Sequence, residues 1–209
     1  MSENNLFSGY LKELCAVARQ GDAREESFYP ALAGFLQAFA DDAGHKHVRV
    51  TTLPKTTNAG NPDFRLWNGM NRIVGYVEAK KPSEERLDVI EESEQLKRYR
   101  ATFPNLILTN FCEFRLYRDG ELIQSVMAAR PFALTSLRTA TATEKAGELH
   151  GLLERFLDFS LPKAFTAESL AAELAKRTRF LRDVVGRQLV QEKDRPGVLA
   201  GFFEAFQTY

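Results

Sequence analysis

GNPDFRLWNGMNRIVGYVEAKKP, residues 60–82, contains two short extended segments joined by a turn. PDFRLW and RIVGYVEAK are rich in β-branched and aromatic residues, and NGMN between them is typical of a turn. The second segment has the composition of a buried strand, yet it ends in the charged residues Glu78 and Lys80, and Asp63 begins the segment before it. Charges at the end of a buried strand are costly unless they are paired, so they indicate a functional site.

The alternation of side chains along a strand places Glu78 and Lys80 on one face, together with Tyr76. If the two segments pair in antiparallel fashion, Asp63 lies opposite, and two carboxylates and one ammonium meet at one edge of a sheet. Two carboxylates and a neighbouring carbonyl are hard ligands suited to Mg²⁺, and they leave positions for water and a phosphate. The expected reaction is phosphodiester hydrolysis, in which Lys80 orients the water or stabilises the developing charge.

The surrounding pattern predicts an α/β fold with a central mixed sheet and flanking helices. Apolar periodicity predicts helices over 6–20 and 24–43, and a third helix over 83–103 with Ser83 as its N-cap. HKHVRVTTL and NLILTN are predicted strands, and a hairpin turns at Asp119 and Gly120. Helical segments near 143–159, 166–193 and 196–209 form a C-terminal extension.

Net charge, cysteine spacing and the lack of long apolar segments limit what kind of protein this is. Lys and Arg number 28 and Asp and Glu number 28, so any binding of nucleic acid must rest on local features rather than net charge. Cys15 and Cys112 lack the spacing of a disulfide framework or a zinc site, which favours a reducing compartment. The N-terminus lacks a signal-peptide pattern and no long uncharged run occurs, so we expect a cytoplasmic protein without a membrane partner.

PDF and EAK on consecutive predicted strands resemble the PD-(D/E)xK signature of the restriction endonuclease superfamily. QLKRY, in the helix that follows, resembles the QxxxY motif of several branches of that superfamily. The resemblance implies a restriction endonuclease-like core and a Mg²⁺ site in which Mn²⁺ can substitute. It also implies that Asp63 and Glu78 are metal ligands and Lys80 is catalytic, with Gln95 organising the site and Tyr99 supporting it.

Two further residues are weaker candidates. The superfamily often carries an acidic residue on a helix near the metal, and the stripe of Phe28, Leu32 and Phe35 extended backwards reaches Glu25. Glu25 is therefore the predicted auxiliary acid, and Glu26, about 100° round the helix, is the alternative. Lys81 either contacts a DNA phosphate or belongs to a solvated turn.

A closer resemblance is to the N-terminal nuclease regions of bifunctional restriction-modification enzymes, which combine an endonuclease and an adenine-specific DNA methyltransferase in one polypeptide. EQLKRYRATFPNLILTNFCEFRLYRDGE, residues 94–121, and ESFYPAL, residues 26–32, are similar to segments of those regions. The resemblance implies a nuclease core over 1–135 and a helical extension over 136–209 that leads to a further domain. No methyltransferase motif occurs in these residues, although the chain ends within the helical pattern LAGFFEAFQTY.

The expected function is therefore that of a type II-like deoxyribonuclease whose partner is double-stranded DNA. Methyltransferase and target-recognition domains are expected on the same full-length chain, and a dimer would cut both strands. The alternative is a non-catalytic DNA-binding or domain-docking module of the same fold. Within the nuclease class, a modification-dependent nuclease and a repair nuclease are further alternatives.

Overall fold

A computed structural model of the chain describes residues 3–57, 59–69, 72–130 and 145–159, together with isolated positions beyond residue 160. The chain divides into two compact units, Met1–Phe159 and Ser160–Tyr209. The first unit contains the β-sheet and the residues of the candidate site. In the second unit the described positions between 171 and 185 are helical, and the rest of the predicted segments 166–193 and 196–209 lies outside the described residues.

The first unit is built on one mixed six-stranded sheet, as the sequence predicts. The strands lie in chain order, with β3 and β4 parallel and every other neighbouring pair antiparallel. They are β1 (Arg49–Thr52), β2 (Phe64–Trp67), β3 (Ile73–Ala79), β4 (Asn105–Thr109), β5 (Glu113–Arg118) and β6 (Glu121–Met127). A mixed sheet flanked by helices is the α/β architecture of a restriction endonuclease-like core.

Helices cover both faces of the sheet. One face packs against α1 (Glu3–Ala18), a 3-10 helix (Glu25–Phe28), α2 (Tyr29–Asp42) and α5 (Ala146–Leu157). The other face carries α3 (Leu87–Glu91) and α4 (Glu94–Thr102) above a smaller cluster. The predicted stripe of the second helix is confirmed, because all its members are buried: Phe28, Leu32, Phe35, Leu36 and Phe39. Among the described residues, no helix is both long and apolar enough to cross a membrane.

The third predicted helix is wrong in its start and its continuity. Ser83 lies in a turn, and the segment divides into α3 and α4, with the Ser93 hydroxyl accepting a hydrogen bond from the Leu96 N–H at 3.3 Å. Residues 81–86 remain a loop because the Glu84 N–H donates to Lys81 O, while Asn110 donates to Glu84 O at 2.7 Å. A contact from Asn110, which follows β4 and lies 26 residues further along the chain, therefore overrides the local helical pattern.

Two other boundaries differ from the prediction. The strand expected from His45 begins at Arg49. The helix expected from residue 24 begins as the 3-10 helix, and its α-helical part starts at Tyr29 with Pro30 in the first turn. The hairpin at Asp119 and Gly120 is confirmed, and φ is +49° and +87° at these residues, as a type I′ turn requires.

The predicted boundary between the core over 1–135 and the extension over 136–209 falls among residues 131–144, which lie outside the described residues. It therefore stays a prediction. The predicted helix near 143–159 is confirmed as α5, and Phe156 and Leu152 of α5 are fully buried within the first unit.

Gly75 in the middle of β3 allows α5 to approach the sheet. A Cβ atom at this position would lie 2.5 Å from Phe156 Cε2 and 2.8 Å from Asn105 O, distances that no packed side chain tolerates. The close contact therefore depends on the absence of a side chain.

We expect Gly75→Ala to destabilise the first unit by about 1–3 kcal/mol, because the added methyl group overpacks the interface with α5. Urea denaturation followed by the fluorescence of Trp67, the single tryptophan, measures the change. Gly34→Ala is the matched control, since the exposed Gly34 of α2 has no atom within 4 Å of the new Cβ. It should leave stability unchanged or raise it by about 0.5–1 kcal/mol, and equal effects of the two substitutions would contradict this account.

Candidate active site

The antiparallel pairing of β2 with β3 sets Asp63 opposite Glu78. Phe64 pairs with Val77, so the residue before Phe64 lies across from the residue after Val77. Asp63 Oδ2 accepts a hydrogen bond from the Ala79 N–H at 2.8 Å, and Oδ1 accepts one from the Tyr29 hydroxyl at 2.6 Å. The carboxylate of Asp63 is thereby fixed at the end of β3.

Glu78 and Lys80 project to the same face, as alternation along the strand predicts. The ammonium of Lys80 lies 2.6 Å from Glu78 Oε1. Glu78 is 2% exposed, and its second oxygen, Oε2, is buried without a hydrogen-bond partner. A buried carboxylate oxygen without a partner is unusual because its desolvation is uncompensated, and it marks a place where a cation would be favourable.

Electrostatics couple these groups. Burial raises the pKa of Glu78 to about 7, and the negative charge of Asp63 adds to the effect while Lys80 opposes it. Burial by itself would lower the pKa of Lys80, but the carboxylates of Glu78, Asp63 and Glu25 outweigh it and raise that pKa. Lys80 therefore remains protonated at neutral pH, and its positively charged ammonium lies beside carboxylates that repel one another.

Glu25, rather than the alternative Glu26, lies at this cluster. Glu25 Oε2 accepts a hydrogen bond from the backbone N–H of Lys81 at 2.7 Å, and Oε1 is 3.3 Å from the Tyr29 hydroxyl. Glu26 is exposed on the same 3-10 helix. The side chain of Lys81 is also exposed, so its described part in the site is the backbone contact with Glu25.

Gln95 and Tyr99 lie on α4 above the site. Gln95 Nε2 donates to the Tyr99 hydroxyl at 3.2 Å. Tyr99 is fully buried, and burial raises its pKa, with Gln95 opposing the shift and the charges of Glu78 and Asp63 adding to it. Tyr99 is thus within electrostatic reach of both carboxylates, whereas the described hydrogen bond of Gln95 is to Tyr99 alone.

Two contributors were not predicted from the sequence. Tyr29 donates to Asp63 and lies beside Glu25, although it belongs to the segment ESFYPAL that carries part of the resemblance. Asn110, the last residue of LTN, holds the loop after β3 through Glu84 O and accepts hydrogen bonds from the N–H groups of Cys112 and Glu113. Both residues lie in segments that support the resemblance, but no local pattern reveals their partners.

The donor set fits a hard divalent cation. Among the described residues no group of three or more His, Cys, Asp or Glu side chains is arranged to hold a metal. Mg²⁺, however, is commonly bound by one or two carboxylates, with water and substrate phosphate completing its shell. Asp63 and the partnerless Oε2 of Glu78 meet that requirement.

Comparisons with known proteins connect the fold to a complex with DNA. No protein-family model matches the chain, and no curated protein matches it. Among solved structures, the chain is similar to a cryo-EM structure of the DrdV-DNA complex, with 25% sequence identity and a TM-score of 0.55. The similarity covers 76% of this chain and 14% of the DrdV chain, so this chain spans a small part of that protein's length.

We expect Glu78→Gln to change how the stability of the metal-free protein depends on pH. A carboxyl group whose pKa is raised on folding stabilises the protein below its unfolded value and loses that contribution as pH rises through the folded value. Between pH 4.5 and about 7 the unmodified protein should therefore lose about 3 kcal/mol relative to Glu78→Gln.

Urea denaturation in EDTA at several pH values between about 4.5 and 8 tests this expectation. Glu26→Gln, which removes an exposed carboxylate three residues from Tyr29, is the control and should show no such pH-dependent difference. If the free energies of unfolding of the unmodified protein and Glu78→Gln differ by the same amount at every pH, Glu78 is not a carboxyl group whose pKa is raised on folding.

Proposed function

We propose that this chain is a Mg²⁺-dependent DNA endonuclease module of the PD-(D/E)xK type that hydrolyses phosphodiester bonds. The observation that carries the proposal is the convergence of Asp63, Glu78 and Lys80 at the end of β3. The similarity to a structure solved in complex with DNA supports DNA as the substrate.

Each side chain has a defined part in the proposed mechanism. Asp63 and Glu78 would hold Mg²⁺, with Mn²⁺ as a substitute, through their carboxylate oxygens. A metal held there would supply Lewis-acid chemistry, polarising the phosphate and making a water molecule more acidic. The ammonium of Lys80, which stays protonated beside the carboxylates, orients the attacking water or stabilises the charge that develops on the phosphate.

The surrounding residues orient this group. Tyr29 fixes the rotamer of Asp63 through its hydroxyl, and the Ala79 N–H fixes the other oxygen. Glu25 holds the chain after β3 at Lys81 and serves as the auxiliary acid. Gln95 acts through Tyr99, whose hydroxyl is within electrostatic reach of Glu78 and Asp63, and it is a site organiser rather than a ligand.

The resemblance and the similarity to DrdV also suggest a larger polypeptide around this module. Because DrdV is a much longer chain, we propose that this module belongs to a restriction-modification enzyme with methyltransferase and target-recognition domains on the same polypeptide. Cleavage of both strands would then require two copies of the module. These domains would supply the sequence specificity, since a neutral chain is not attracted to DNA by net charge.

A non-catalytic DNA-binding or docking module is the alternative. The observation in its favour is that only two carboxylates meet directly at β3, and no larger group of metal-binding side chains occurs among the described residues. The presence of a charged lysine hydrogen-bonded to the buried Glu78 favours catalysis, because a docking module needs no such pair.

Asp63→Asn and Lys80→Ala should each lower the rate of plasmid nicking with Mg²⁺ or Mn²⁺ by about 100-fold or more, because the first removes a proposed metal ligand and the second removes the charge proposed to act at the reacting phosphate. Gel electrophoresis of supercoiled plasmid measures the rate, using the longest polypeptide that contains this chain. Lys12→Ala, which removes an exposed lysine from α1 on the opposite face of the sheet, is the matched control. Unchanged nicking by both site variants would exclude the proposed site.

Tyr29→Phe isolates the hydroxyl that holds Asp63, since the ring retains its packing against Phe64, with centroids 4.9 Å apart. We expect kcat to fall about tenfold and Mn²⁺ affinity to weaken, while KM for DNA and the denaturation midpoint change little. Single-turnover nicking and calorimetric titration with Mn²⁺ provide the measurements. A fall in stability with unchanged metal affinity and kcat would show that Tyr29 serves the core alone.

A further inference from the structure

One partly exposed face of β1 and β2 continues from the candidate site. Phe64 and Leu66 are fully buried on the side of the larger core, so Arg65, which alternates with them, faces the side of Glu78. Asp63 precedes Arg65 by two residues, about 7 Å along the strand. Arg65 pairs laterally with Thr51 of β1, and Trp67 pairs with Arg49. We call Arg49, Thr51, Arg65 and Trp67 the basic stripe.

Charge is distributed unevenly along the chain. The protein as a whole has no net charge, but residues 46–77 contain five basic side chains and a single acidic one, Asp63. Within the part of the chain that the structure describes, none of these five forms an ion pair with a carboxylate. They are Lys46, Arg49, Lys55, Arg65 and Arg72. Among the described residues, these five positive charges are therefore not neutralised by ion pairs.

Arg65 is held in place without an anionic partner. Its guanidinium carbon lies 4.3 Å from the centroid of the Trp67 ring, a stacking arrangement that restricts its rotamers. Its Nε atom is buried and has no hydrogen-bond partner. The guanidinium also interacts with the Tyr76 hydroxyl, which is on the facing position of β3. A pre-oriented guanidinium that no carboxylate engages is suited to bind phosphate through its terminal N–H groups.

We infer that the basic stripe contacts phosphates of the DNA strand adjacent to the phosphate held at Asp63 and Glu78, with Arg65 as its principal contact. The inference rests on the proposed function and adds to it the surface over which the substrate backbone runs. Contacts of this kind position the DNA and carry no sequence information, so binding through the stripe is independent of sequence. DNA phosphates are the occupant that its charge complements, and the release of counterions from DNA would give this binding a steep dependence on salt concentration.

Fluorescence anisotropy of the 209-residue chain with two labelled duplexes of unrelated sequence, in Ca²⁺ to support binding without turnover, tests the inference. Arg65→Met removes the charge but keeps a flexible side chain over Trp67. It should weaken binding about tenfold at about 0.1 M KCl and reduce the slope of log K against log salt by about one on both duplexes.

The control variants distinguish the loss of the Arg65 charge from the loss of any positive charge and from misfolding. Arg65→Lys should retain the slope, and Lys12→Ala, which removes one charge from the opposite face of the sheet, should bind as the unmodified chain does. Arg49→Ala, at an exposed position of the stripe, should lower the slope in the same direction without affecting the core. Equal binding by Arg65→Met and Lys12→Ala, or no binding by the unmodified chain at about 50 mM KCl, would overturn the inference.

The two proposals fail separately. If Arg65→Met loses DNA binding, and neither the unmodified protein nor any variant cleaves DNA, the role of the basic stripe is supported and the catalytic assignment fails. If Asp63→Asn abolishes cleavage while Arg65→Met binds normally, the catalytic assignment stands and the stripe is refuted.

Discussion

The pairing of Phe64 with Val77 across β2 and β3 places two carboxylates, Asp63 and Glu78, at one end of a buried strand. Bringing two such groups together out of water is unfavourable, which is why the pKa of Glu78 is raised, first by burial and then by its neighbour. The rest of the site compensates for this constraint. Lys80 balances one charge, while the Tyr29 hydroxyl and the Ala79 N–H satisfy Asp63.

The compensation is incomplete at Glu78 Oε2, which is buried without a partner. A site optimised for stability alone would replace this carboxylate by an apolar residue of similar size. Its retention is understandable if a cation completes the cluster during function. Arg49 and Arg65 of the basic stripe resemble Glu78 in this respect, because among the described residues neither forms an ion pair, and an anionic substrate beside them would be favourable.

Much of the core followed from local patterns. The apolar stripe of α2, the strands β2 and β3, and the turn at Asp119 and Gly120 were predicted correctly because each depends on side-chain periodicity or on turn conformation. The shared face of Glu78 and Lys80 followed from the same periodicity. The break between α3 and α4 was missed because Ser93 caps a new helix at that point. The late start of α3 was missed because Asn110 holds the segment before it as a loop.

By itself, the sequence determined the sheet-forming segments, the faces of β3 and the residue types of the site, because these depend on neighbours a few positions apart. Only the tertiary structure decided which acid of the pair Glu25 and Glu26 reaches the cluster, and that Tyr29 holds Asp63. Those contacts join residues 56 and 34 positions apart, respectively. Packing of the 3-10 helix and α2 against the sheet brings them together, and no local periodicity encodes that distance.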